Sequence, residues 1–107
     1  MNTGQLIRHL IDLKKSTPKL GTLPVYLDVG CCSSDRSFAS AALVDGVVQI
    51  VGAEGEPKTA NDLIKSLRAL DAPADSSTFI DGDCERGEVT GVKVRASGTV
   101  REMLLTL

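Results

Sequence analysis

The chain of 107 residues contains no tryptophan, one tyrosine and two phenylalanines. With so few rings it lacks the aromatic platforms on which single-stranded bases or sugars stack. Its core must be assembled from Leu, Val, Ile and Ala, which supply most of a 42% hydrophobic fraction. An excess of positive charge is also missing: 12 Lys and Arg stand against 14 Asp and Glu. The broad attraction to phosphate backbones is therefore weak, and nucleic acid is not an expected partner.

No long apolar run is present either. Arg8, Asp12, Lys14 and Lys15 break up the N-terminal segment, so that it is expected to be neither a signal peptide nor a membrane span. The expectation is a cytoplasmic protein. Cysteine is scarce and odd in number: Cys31, Cys32 and Cys84 do not make the even framework of a small secreted domain. A structural zinc site takes four ligands in paired spacings, and the sequence offers one histidine, His9, on a helix. Reduced thiols, no metal and no cofactor are expected. Cys31, Cys32 and Cys84 remain the thiol candidates for nucleophilic or redox chemistry, although a cysteine nucleophile needs a nearby base. One histidine and scattered acids assemble no nucleophile, base and orienting group, so the chain does not read as an enzyme.

What the sequence does contain is an internal echo. Asn2 to Leu13 matches Thr59 to Leu70 at an offset of 57 residues, with Leu6, Ile7, Leu10 and Leu13 falling on Leu63, Ile64, Leu67 and Leu70. Tyr26-Leu27-Asp28 and Cys31 match Phe79-Ile80-Asp81 and Cys84 at an offset of 53, and Asp45-Gly46 matches Ser97-Gly98 at 52. Each half reads as helix, strand and hairpin.

The local signals agree. Leu6, Ile7, Leu10, Ile11 and Leu13 form one apolar arc, with Arg8 and Asp12 opposite, the pattern of a helix laid on a core. Asn2 or Thr3 can cap it, and Lys14 and Lys15 suit its C-terminal end. Thr59 or Asn61 can cap the second helix, which runs to about Leu70 before Asp71-Ala72-Pro73 ends it. Strands are expected at Val25 to Val29, on both sides of Asp45-Gly46 between about Phe38 and Val51, near Thr78 to Asp81, and at Glu88 to Ala96 and Thr99 to Leu105. Asp81-Gly82-Asp83-Cys84-Glu85-Arg86-Gly87-Glu88 alternates acids but fails the calcium-loop pattern, because Arg86 stands where glycine is required. It reads as a solvated acidic turn.

These readings give an α+β fold, one compact domain spanning 1–107 with repeat halves of about 1–55 and 56–107. The halves would be related by a pseudo-twofold, with two helices on one face of a mostly antiparallel sheet. Two surfaces are candidates for partner binding. One is the polar tip Ser33, Ser34, Asp35 and Arg36; the other is the apolar C-terminal strand through Met103 and Leu105, which could offer an edge for pairing or for a homodimer.

Thr3-Gly4-Gln5-Leu6-Ile7 with Leu10, followed by Leu23-Pro24-Val25-Tyr26-Leu27, resembles the small phage and prophage accessory proteins that open with a T-x-x-L-I-x-x-L helix and a P-V-x-[VL] strand. The match covers about the first thirty residues and brings no functional residue with it. Here the connection before Pro24 is longer, and Gly30-Cys31-Cys32-Ser33-Ser34 stands where a glycine-rich acidic turn is the pattern. The resemblance implies an accessory protein that binds a host protein, a class that includes inhibitors of bacterial defence systems such as anti-CRISPR proteins. The competing expectations are a small-ligand binder of nucleotide type, with its pocket between the halves, and a thiol-dependent enzyme.

Overall fold

The protein is described by a computed structural model over residues 1–17, 19–28, 36–82, 85–97 and 100–107. Along the described residues run α1 (Thr3–Ser16), β1 (Val25–Asp28), β2 (Arg36–Val44), β3 (Val47–Ala53), α2 (Ala60–Ala69), β4 (Thr78–Gly82), β5 (Glu85–Glu88), β6 (Gly91–Ser97) and β7 (Val100–Thr106). A 3₁₀ turn at Leu20–Thr22 interrupts the connection before β1, and its Leu20 is fully buried.

Both helices begin on reciprocal capping bonds. Asn2 Oδ1 accepts from the Gln5 amide at 2.8 Å while Gln5 Oε1 accepts from the Asn2 amide at 2.9 Å. Thr59 Oγ1 accepts from the Asp62 amide at 3.4 Å, and Asp62 Oδ2 accepts from the Thr59 amide at 3.1 Å and hydroxyl at 3.0 Å. Each pair satisfies donors that the first helical turn leaves without an intrahelical partner.

Every helix start is also tied to the other half of the chain. The Thr3 amide donates to Ser76 O at 2.8 Å, and the Ala60 amide donates to Leu23 O at 2.9 Å. Asn2 forms a β-bridge with Ser77, just before β4, and Thr59 forms one with Pro24, just before β1. The same two residues anchor strands: Val48 N donates to Ser77 O and Met103 N donates to Pro24 O, both at 2.9 Å. Thr3 is buried, and its hydroxyl bonds Ser76, so the polar groups at this junction are satisfied.

The strands form one sheet in the order β5-β4-β3-β2-β1-β7-β6. It is mixed. Consecutive hairpins are antiparallel, but β3 runs parallel to β4 and β1 parallel to β7. Reasoning from tight turns alone overlooks these two contacts, because a parallel pair needs a crossover, here α2 between β3 and β4.

Strongly curled, the sheet brings together its outermost strands, β5 and β6, which are separated in sequence only by Val89 and Thr90. The Val89 amide donates to Thr78 O on β4 at 3.0 Å, and the next amide, of Thr90, donates to Thr106 O on β7 at 2.8 Å. Within two residues the chain passes from one margin of the sheet to the other.

Alternation decides which side chains go inward. Val25, Leu27, Phe38, Val48, Ile50, Ile80, Val89, Met103 and Leu105 are buried and share one core with Leu6 and Leu10 of α1 and Ala60, Leu63, Ile64 and Leu67 of α2. Of the apolar arcs read from sequence, Leu6 and Leu10 of α1 and Leu63, Ile64 and Leu67 of α2 are buried, while Ile7, Leu13 and Leu70 pack partly buried against the core.

Two expectations are corrected. Residues 85–88 form a strand paired with β4, not an acidic turn: Glu88 pairs with Phe79, Gly87 with Ile80 and Arg86 with Asp81. Arg86 and Glu88, which share one face of this strand, are both exposed. The hairpin echo is also displaced by one residue, since Ser97 pairs with Val100 as the last described rung of β6 and β7.

Candidate interaction surface

Of the sequence-derived candidates, Ser33, Ser34, Asp35, Cys31, Cys32 and Cys84 lie outside the described residues. Arg36 is the first residue of β2, opposite Leu27, with its Nη1 3.8 Å from Glu54 Oε1. It belongs to a strand and not to a polar tip. Met103 and Leu105 are fully buried, and β7 is flanked by β1 and β6. The C-terminal strand therefore has no free edge, and its two candidate side chains face the core. Leu104 between them is buried as well, and a strand buried on both faces reads as a continuous apolar run, which conceals its orientation.

The side of the sheet away from the core carries a different set. Because Val48 and Ile50 point inward, Val47 and Gln49 point out. The parallel register places Phe79 of β4 beside Gln49, and Asp81 beside Val51. Arg86 of β5 stands across from Asp81, with Nη2 3.2 Å from Oδ2. At the hairpin end, Val44 is opposite Val47. Asp45 and Gly46 make the turn between them with φ of 51° and 78°, the left-handed pair that a two-residue hairpin of this kind requires.

Val44, Asp45, Val47, Gln49, Phe79, Asp81 and Arg86 line an open hollow of about 380 Å³. Val44, Val47 and Phe79 supply its apolar lining, and the Asp81–Arg86 ion pair supplies charge. Of the two phenylalanines, Phe38 is fully buried, whereas Phe79 remains partly exposed on this outer face. Leu43 and Val44, at the tip of the same hairpin, are the exposed large hydrophobic residues among those described, at 40% and 43%. Val44 lies on this outer face with Val47, whereas Leu43 pairs with the buried Val48 and points to the other side of the sheet.

In the β6–β7 hairpin the rung that corresponds to Val44 and Val47 is Ser97 with Val100. Two rungs further from the turn, where the first hairpin sets Ala42 against Gln49, the second sets Arg95 against Glu102, with Arg95 Nε 3.0 Å and Nη2 2.9 Å from Glu102 Oε2.

Among the described residues no group of three or more His, Cys, Asp or Glu is placed to hold a metal ion, and His9 is exposed on α1. Asp62 has its carboxyl held below the ordinary value by the Thr59 amide and then the Thr59 hydroxyl, and it serves as a helix cap. No helix among the described residues is long and apolar enough to cross a membrane.

Sequence reasoning missed Val44, Val47, Gln49, Phe79 and Arg86. The available signal was Asp45-Gly46 with Val47 and Gln49 alternating behind it; the contribution of β4 and β5 depends on a crossover that the sequence does not announce. No family model, curated protein or solved structure matches this chain.

Proposed function

We infer that the protein is a non-enzymatic interaction module that docks a partner protein on the outer face of β3 and β4. Two helix–strand–hairpin units related by an approximate twofold form the scaffold. The observation that carries the reading is the apolar surface at the first hairpin. Val44 and Val47 face each other on the rung next to the turn and leave that surface open to solvent beside Phe79. Monomeric proteins seldom keep contiguous apolar surface exposed without a use for it, and a half-exposed aromatic beside a guanidinium is the composition of interface anchors.

The repeat is supported by the matched bonds. Thr3 to Ser76 and Ala60 to Leu23, then Val48 to Ser77 and Met103 to Pro24, link positions that the sequence echo also aligns in the helices and first strands. The bulge in β2 between Phe38 and Ser40 lies where the other half breaks between β5 and β6.

The resemblance of the first thirty residues to phage and prophage accessory proteins points to a bacterial host protein as the partner, and to inhibition of a host defence system as the role. Capture from a bacterial lysate with the wild-type chain and with Phe79→Ala and Val47→Glu variants tests it. A specific protein recovered by the wild type and lost with both variants is the expected result. Equal recovery by all three removes this face from the reading. A specific rise in melting temperature with nucleotides, abolished by Arg86→Ala, would favour a small ligand in the hollow instead.

A further inference from the structure

We propose that the outer edge of β2, from Ser40 to Val44, pairs antiparallel with the same edge of a second copy of this chain to form a twofold-symmetric dimer. The inference does not rest on the docking reading, since the decisive residue, Ala42, is not part of the hollow.

On its inner side β2 pairs with β3 along its length, whereas β1 pairs with it only at Arg36 and Ser37. Among the described residues, no further backbone hydrogen bond reaches Ser40 to Val44 from that second side. Such an edge is a template for another strand unless something blocks it, and natural edges are blocked by charge, proline or a bulge. The bulge of β2 lies between Phe38 and Ser40 and leaves the remainder regular. Ser40, Ala41, Ala42, Leu43 and Val44 contain neither charge nor proline, and all but Ala41 are exposed.

The occupant follows from a comparison with β6, which is also flanked on one side only. The β6 strand carries Lys93 and Arg95, both exposed. Two copies of β6 would oppose like charges, which is unfavourable for directly facing residues. The β2 edge carries no such repulsion. Centred on Ala42, antiparallel self-pairing sets Ala41 against Leu43 of the second copy and Ser40 against Val44. Small side chains thus meet large ones, and Leu43 and Val44 become covered. A closed twofold is the commonest oligomer symmetry, and it requires this kind of self-complementary patch.

Sedimentation of the full chain across a concentration series from about 5 to about 500 µM tests the proposal, a span suited to a short strand interface. The expected result is a monomer–dimer equilibrium within that range, with the amides of residues 40–44 exchanging more slowly as concentration rises. Ala42→Lys, which places lysines face to face across the twofold, should raise the dissociation constant at least about tenfold. Ser40→Lys, also at an exposed position, is the second variant should the first misfold. Lys93→Ala should leave association unchanged. A wild-type monomer at the highest concentration overturns the proposal. So does a dimer whose dissociation constant Ala42→Lys and Ser40→Lys leave alone, or whose protected amides lie outside β2.

Discussion

Gly52 faces Arg36 so closely that a Cβ at position 52 would stand 2.8 Å from the Arg36 Cβ and 3.0 Å from Leu27 Cδ1. Gly87 is crowded in a different way, its added Cβ meeting Leu107 Cδ2 at 2.9 Å. The first obstacle sits next to backbone, and the second is the end of a flexible side chain. Gly52→Ala should therefore destabilise by about 1–3 kcal/mol, the range of overpacking in a close-packed interior, and Gly87→Ala by less. Urea unfolding of the two variants decides it; equal losses would show that the β1–β2–β3 contact yields as easily as a leucine methyl.

The four helix leucines on the buried faces, Leu6, Leu10, Leu63 and Leu67, are 0–1% exposed. Truncation of each to alanine should cost about 2–5 kcal/mol, from lost transfer energy together with an unfilled cavity. Losses below about half a kcal/mol at all four would remove both helices from the core.

The helix caps differ in chemistry and so in pH dependence. Thr59→Ala should cost about 0.5–2 kcal/mol at neutral pH, as loss of a cap does, and Asn2→Ala a similar amount. The carboxyl of Asp62 is held below its ordinary value of 3.8 by the Thr59 amide first, then the Thr59 hydroxyl, with smaller help from Lys58 and Lys65. A depressed folded-state value means that the stabilisation is present above the unfolded value and is lost as pH falls through the folded one. Stability measured from pH 6 down to pH 2 should fall less steeply in Asp62→Asn than in the wild type, whereas Asn2→Ala leaves the slope unchanged.

Replacing Val44 by Arg and Val47 by Glu puts next to the turn of the first hairpin an ion pair of the kind that Arg95 and Glu102 form two rungs from the turn of the second. Stability should change by no more than about 1 kcal/mol, because an exposed ion pair is worth little either way. Partner binding through the outer face should disappear. A large loss of stability would mean that the valines support the hairpin and would remove the argument for docking.

The residues that sequence alone determined are those whose information is local. Asn2 with Gln5 and Thr59 with Asp62 are spaced to cap helices, Leu6 with Leu10 and Leu63 with Leu67 recur at helical intervals, and Asp45-Gly46 tolerates the left-handed backbone of a tight turn. Tertiary structure decided everything that depends on which strands meet. β7 has no free edge because it is enclosed between β1 and β6, and Met103, Leu104 and Leu105 are all buried, so the apolar run reads alike for either orientation. Arg86 and Glu88 lie on a strand because β4 supplies a partner, although their polarity suggests a turn. Phe79 joins Gln49, Val47 and Val44 on the outer face only because α2 carries the chain over to lay β4 parallel to β3. A helix or turn closes its bonds within a few residues and leaves that trace in the sequence; a sheet closes them across the whole chain, and alternation shows that a strand has two faces without showing which face the rest of the molecule will cover.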